Sequence, residues 1–330
     1  MNKHLGLTLA FLFVANPIFA QDANPIKWGI SLGTGSTTYE TIIIVDEDDG
    51  NQRLRTDEVD FSSMLLGFDA RSGKHQVSFA TNTADEESMS ISGSYYDRYG
   101  GPSRTADFDD QSFTYTYSLT DKWRFSLGYN TLTMDKGWGN SYDRTSTLVI
   151  GTTDTWTVTD IFSSSTERSG ATAVISYVQP FGESGKWIAV GRLGFTAQDY
   201  EESGTGTIRV SGVSAASESC WNGTTCQGVA LKTNGDGFDY TDTLTGDNTS
   251  AIFGISLIYI LDNPRHTLNF DFTTRDNDYG VLSGNQNQTA IGGYFSGDAG
   301  RSDSFDLDTA DRQVDETIWA VSVKWRYGLN

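Results

Sequence analysis

Apolar and polar positions alternate with a period of two along most of the chain, from Trp28, Ile30 and Leu32 near its start to Trp319, Val321, Val323, Trp325, Tyr327 and Leu329 at its end. A period of two puts alternate side chains on opposite faces of a β-strand, so each such run has one apolar and one polar face. Further runs lie at 59–70, at Val77 and Phe79, at Phe113, Tyr115 and Tyr117, at Trp123, Phe125, Leu127 and Tyr129, at 171–181 and 187–195, at Phe253, Ile255 and Leu257, and at Leu268, Phe270 and Phe272. Helical periodicity is absent after residue 20, and no later segment has 18 consecutive apolar residues, which leaves no helical membrane anchor. The pattern predicts an all-β protein.

The connections alternate in length. Residues 71–74 ("RSGK"), 120–122 ("TDK"), 182–186 ("GESGK") and 262–265 ("DNPR") read as tight turns, whereas 46–53, 87–103, 132–143, 200–249 and 277–314 are long. Trp123 and Trp187 each open the strand after a tight turn, and Trp28, Trp325 and Tyr327 lie at the matching end of the first and last runs. That places the rings at one level, as an interfacial girdle requires. The segment 142–163 decides the strand number. Leu148 and Ile150, then "TTDT", then Trp156 and Val158 read as one more strand–turn–strand unit, giving twelve strands. Ten strands with this unit as an extracellular hairpin, or fourteen with further hairpins hidden in "TIRVSG", "GVALKT" and "TAIGGYF", stay open.

Composition fits that picture. Glycine (35) and aromatic residues (8 Trp, 15 Tyr, 18 Phe) are abundant and proline (5) is scarce. Residues 1–20 read as a secretory signal peptide, with Lys3, an apolar run from Leu5 and a small residue at Ala20, leaving 21–330 as one domain. The whole chain carries 23 basic and 43 acidic residues, a net charge of −20, which opposes a nucleic-acid partner. With its signal sequence, paired alternating strands, short and long connections and aromatic girdle, the chain resembles a Gram-negative outer-membrane β-barrel of the porin-like kind. The resemblance implies a transmembrane antiparallel barrel with short periplasmic turns and long extracellular loops, in contact with outer-membrane lipid and lipopolysaccharide. Here Leu329 and Asn330 follow Tyr327, where that family typically ends on an aromatic residue.

Candidate chemistry is sparse. Cys220 and Cys226 enclose "WNGTT", and an exported chain with two close cysteines is expected to join them as a disulfide. General-base work at neutral pH calls first for histidine. The mature chain has only His75 and His266, each beside a tight turn, and no G-x-S-x-G or H-E-x-x-H motif occurs, so no enzyme is expected. No cofactor or defined metal site is expected either, although "DEDDG" (46–50) and "DNDYG" (276–280) offer oxygen ligands for weak Ca²⁺ or Mg²⁺ binding.

The face opposite the apolar one is more specific. Its charged members are Lys27, Arg124, Arg192, Arg275, Lys324 and Arg326, against chiefly Asp69 and Asp271. A basic lining in an acidic chain leads to the expectation of a porin-like channel for small, anionic solutes. Two alternatives stay open: these residues pair with inward acids and close the barrel, or the protein is a non-conducting surface barrel in adhesion, receptor binding or envelope structure.

Overall fold

The computed structural model describes residues 25–46, 52–92, 103–147, 153–182, 185–212, 235, 237–279, 282–291, 302–307 and 312–329. The alternating runs form strands β1 (Lys27–Asp46), β2 (Gln52–Ser72), β3 (His75–Ser92), β4 (Ser103–Ser118), β5 (Trp123–Thr147), β6 (Thr153–Phe181), β7 (Trp187–Ser211), β8 (Gly237–Ile260), β9 (His266–Tyr279), β10 (Leu282–Ile291), β11 (Ser302–Leu307) and β12 (Arg312–Gly328). All pair antiparallel in one sheet. Strands β1 to β9 follow one another, and β12 closes the wall by pairing with both β9 and β1.

The barrel wall therefore has ten strands. The lower part of β8 pairs with β9, its upper part pairs with β10 from Gly237↔Ile291 to Thr245↔Ser283, and β10 carries β11, so these two form a hairpin outside the closed ring. The expectation of twelve wall strands gives way to the ten-stranded alternative. Strands β5 and β6 pair without interruption from Trp123↔Tyr177 to Thr147↔Thr153, so residues 142–147 and 153–163 extend one long pair of strands rather than make a new crossing, while Leu148 and Ile150 lie outside the described residues. The stretch 132–143, expected as a long connection, is continuous strand within β5. Strands β5 to β8 have 25, 29, 25 and 24 residues, more than twice the ~9–11 that cross a bilayer. Alternation that continues past the membrane looks in sequence like another membrane strand.

The tight turns at 71–74, 120–122, 182–186 and 262–265 all join wall strands at one rim. In barrels of this type the short turns face the periplasm. Gly73 in the first turn has φ +54°, in the left-handed region that favours glycine. The aromatic girdle is present at this rim: Trp123 lies 4.9 Å from Tyr177, Trp187 lies 4.7 Å from Tyr259, and Trp325 stacks on Tyr327 and His266. Above it the outward face is apolar, with Met64 69% exposed and Leu193 60% exposed, as a lipid-facing band must be. Residues 1–20 and the cysteines at 220 and 226 lie outside the described residues.

Candidate functional site in the barrel interior

Directly paired residues on neighbouring antiparallel strands share a face, so the register assigns the interior from one anchor. Following it round the wall, Lys27, Arg124, Arg192, Arg275, Lys324 and Arg326 all lie on the interior face, as expected from the sequence. The interior divides into two levels.

The lower level, behind the lipid-facing band, is charged. Arg326 holds Asp69 by two hydrogen bonds, Nε to Oδ1 at 2.7 Å and Nη2 to Oδ2 at 2.6 Å. Gly29 makes that approach possible, because a Cβ there would lie 2.4 Å from the Arg326 Nη2 and 2.7 Å from the Asp69 Oδ1. Asp271 receives Lys324 at 2.8 Å and Arg192 at 3.5 Å, and accepts a hydrogen bond from Ser256. The structure thus pairs three of the six expected lumen cations with the two acids that the sequence placed beside them. Arg275 stands higher, facing Asp110 across a cavity of about 280 Å³. Arg71, also on the interior face, acts on Arg124.

The upper level is closed by side chains. Tyr39, Val59, Phe61, Ala106, Phe108, Leu132, Met134 and Ile318 form one buried apolar cluster on the interior face of β1, β2, β4, β5 and β12. Phe61 and Phe108 meet edge to face at 4.9 Å, and Tyr39 reaches Phe108, three strands away, at 5.7 Å. The rest of the section is spanned by a buried ion pair. Arg168 on β6 grips Glu316 on β12 with both guanidinium nitrogens, one at 2.7 Å, and β6 and β12 stand on nearly opposite sides of the ring. Asn277 donates to the same carboxylate at 2.7 Å, and the rings of Tyr200 and Tyr279 flank the guanidinium. A charge pair so deeply buried needs such added hydrogen bonds.

Outside this plug the wall is acidic. Every wall strand carries an outward carboxylate above the apolar band: Glu40 opposite Glu58, Asp107 opposite Asp135, Glu167 opposite Glu201, with Asp85, Asp247, Asp276 and Asp315 on the remaining four. Partial burial, and then the charge of Asp135, push the Asp107 carboxyl above its ordinary value. Among the described residues no group of three or more His, Cys, Asp or Glu is placed to hold a metal ion. Of the two acidic stretches named for weak Ca²⁺ or Mg²⁺ binding, 47–50 lies outside the described residues, and Asp276 and Asp278 sit on the outward face of β9.

His75 and His266 lie at the short-turn rim. His75 Nδ1 is 2.7 Å from the Tyr115 hydroxyl, and His266 Nδ1 accepts from the Trp325 indole at 3.2 Å. Both serve the girdle. Sequence reasoning missed Arg71, Asp110, the Arg168–Glu316 pair and the whole apolar plug.

No protein-family model and no curated protein matches the chain. Among solved structures, the outer membrane protease OmpT of Escherichia coli is similar over 94% of this chain and 98% of its own, with a TM-score of 0.53 and 12% identity. The translocator domain of the autotransporter NalP of Neisseria meningitidis (98% and 95% covered, 10% identity) and the toluene transporter TbuX of Ralstonia pickettii (91% and 89%, 9% identity) give TM-scores of 0.39 and 0.35. At 12% identity the likeness to OmpT shows fold alone. The chain has the fold of an outer-membrane β-barrel, a closed transmembrane antiparallel wall, and its outward apolar band is of the kind that faces lipid.

Proposed function

We propose that this protein is a non-conducting surface barrel, acting in adhesion, receptor binding or envelope structure through the tall part of the wall above the membrane. The observation that carries the reading is the closed section at the level of Tyr39, Phe61, Phe108 and Ile318, completed by the Arg168–Glu316 pair. A porin-like route for anions needs a water-filled path along the interior cations, and the apolar cluster stands across it. No reaction is assigned, since both histidines are engaged at the periplasmic rim and the likeness to a protease is one of fold at 12% identity.

Planar-bilayer recording tests the proposal. The purified wild-type barrel is expected to insert without conductance steps in KCl. The Phe61→Ala/Phe108→Ala double variant, which removes two plug rings, is expected to conduct. Steady conductance of the wild type with anion preference would overturn the proposal and restore the anion-channel reading.

A further inference from the structure

The lower interior carries more positive charge than its own acids can balance. Among the described residues, Lys27, Arg71, Arg124, Arg192, Lys324 and Arg326 face two carboxylates, Asp69 and Asp271, an excess of four charges in a chain whose net charge is −20. Lys27 and Arg71 are direct cross-strand partners, an arrangement of like charges that destabilises a sheet. Among the described residues no carboxylate pairs with Arg124, and the charges acting on it are Arg71 and Arg192, both positive. Ser176 lies between Arg124 and Arg192 in the register, and the hydroxyls of Thr116 and Ser126 meet at 2.8 Å beside them.

Guanidinium groups present several N–H donors in a planar fork that matches carboxylate and phosphate oxygens. Arg71 on β2, Arg124 on β5 and Arg192 on β7 share the interior face, with Ser176 between Arg124 and Arg192 in the register and Arg192 also bonded to Asp271, and a bound anion would relieve the repulsion among them. The cavity of about 280 Å³ above is lined by Arg192, Arg275 and Lys324, by Asp110 and Asp271, and by small residues such as Ala80, with Tyr39 and Ile318 as its roof; Arg71 and Arg124 stand below it, toward the short-turn rim. We infer that the periplasmic half of the interior is a dead-ended pocket for one small oxyanion of the carboxylate or phosphate class, entering from the short-turn end and held by Arg124 with Arg71 and Arg192. The dead end rests on the closed-barrel reading; the anion site does not.

Reaction of a wall cysteine tests the site. Ala80 lines the cavity and is exposed within it. Ala80→Cys in a Cys220→Ser/Cys226→Ser background, refolded in detergent, is titrated with an anionic and a cationic methanethiosulfonate reagent of similar size. The anionic reagent is expected to react about tenfold faster or more, because a charged cleft concentrates its counter-ions. Inorganic phosphate, added at constant ionic strength, should slow that reaction in a saturable way. Arg71→Gln/Arg124→Gln should bring the two rates close together and abolish the phosphate effect, whereas Arg209→Gln, at the far end of β7, should change neither. Equal rates for the two reagents, or no protection by phosphate, would overturn the inference. Conductance of the wild type in the bilayer would remove the dead end alone, and an absent charge preference in a non-conducting barrel would remove the anion site alone.

Discussion

The membrane band and the wall above it are built from the same strands with opposite polarity. In the band, Met64, Leu66 and Phe68 of β2 point outward and Asp69 points in; a few residues higher on that strand, Glu58 and Asp60 point outward while Val59 and Phe61 point in. On β4 Phe113 faces out and Phe108 faces in, and on β5 Tyr129 faces out while Leu132 and Met134 face in. Below the switch the barrel is solvated by lipid and lined with charge. Above it the barrel has an apolar core and an acidic surface, as a water-soluble protein does. Bulges shift the pairing of β3 with β2 and β4 near this height, yet the ladder runs unbroken through the switch on β5, β6 and β7, so there the medium outside, with no change in strand pairing, decides which face is apolar.

The sharpest way to break this contrast is to remove one partner of the ion pair that completes the upper core. Arg168→Met leaves Glu316 buried without its counter-charge, at a cost of about 3–5 kcal/mol, and should lower the urea midpoint of the refolded barrel. Arg168→Met/Glu316→Met should recover most of that loss, since an apolar pair suits an apolar level. A smaller effect is expected in the band: Gly29→Ala pushes a methyl against the side-chain ends of the Arg326–Asp69 pair, which can shift at the loss of about one hydrogen bond, about 0.5–1.5 kcal/mol in the same assay. The plug, being higher, should stay closed in that variant.

The smallest expected effect concerns the wall above the apolar band. Burial pushes the Asp160 carboxyl up to about 6, while the hydrogen bond from the Tyr240 hydroxyl at 3.2 Å pulls the other way. A carboxyl that holds its proton more tightly when folded contributes stability that is fully present below the ordinary value of about 4 and is lost as pH rises through about 6. Limited proteolysis of the folded barrel should therefore be slower at about pH 5 than at about pH 7.5. Asp160→Asn should flatten the difference; an unchanged pH profile would remove Asp160 as its source.

Much of this was legible in the sequence. The rim positions of Trp123 and Trp187 follow from the turns before them, and strict alternation put all six named cations on the interior face, whereas their ring partners Tyr177 and Tyr259 came only with the register. The strand number was not legible, because the run around Trp156 and Val158 alternates in the same way whether lipid or water lies outside. The plug had a signal that went unread: between Phe61 and Met64, and between Tyr129 and Leu132, the apolar residues change parity without any turn. Such a slip marks the height at which the surroundings change. The Arg168–Glu316 pair, 148 residues apart in sequence, had no local signature at all.

The ring of outward carboxylates also fixes where the barrel floats. A transmembrane segment that does not match its bilayer can tilt or shift, at a modest cost per ångström. For this barrel a downward slip would carry acidic side chains from all ten strands into hydrocarbon together, and charge on a lipid face is increasingly costly with depth. Below, the Trp and Tyr rings of the girdle hold the opposite edge. With both edges held, the accommodation passes to the membrane: a bilayer thicker than the apolar band has to thin around the protein, and lipids of matching length will gather at its wall.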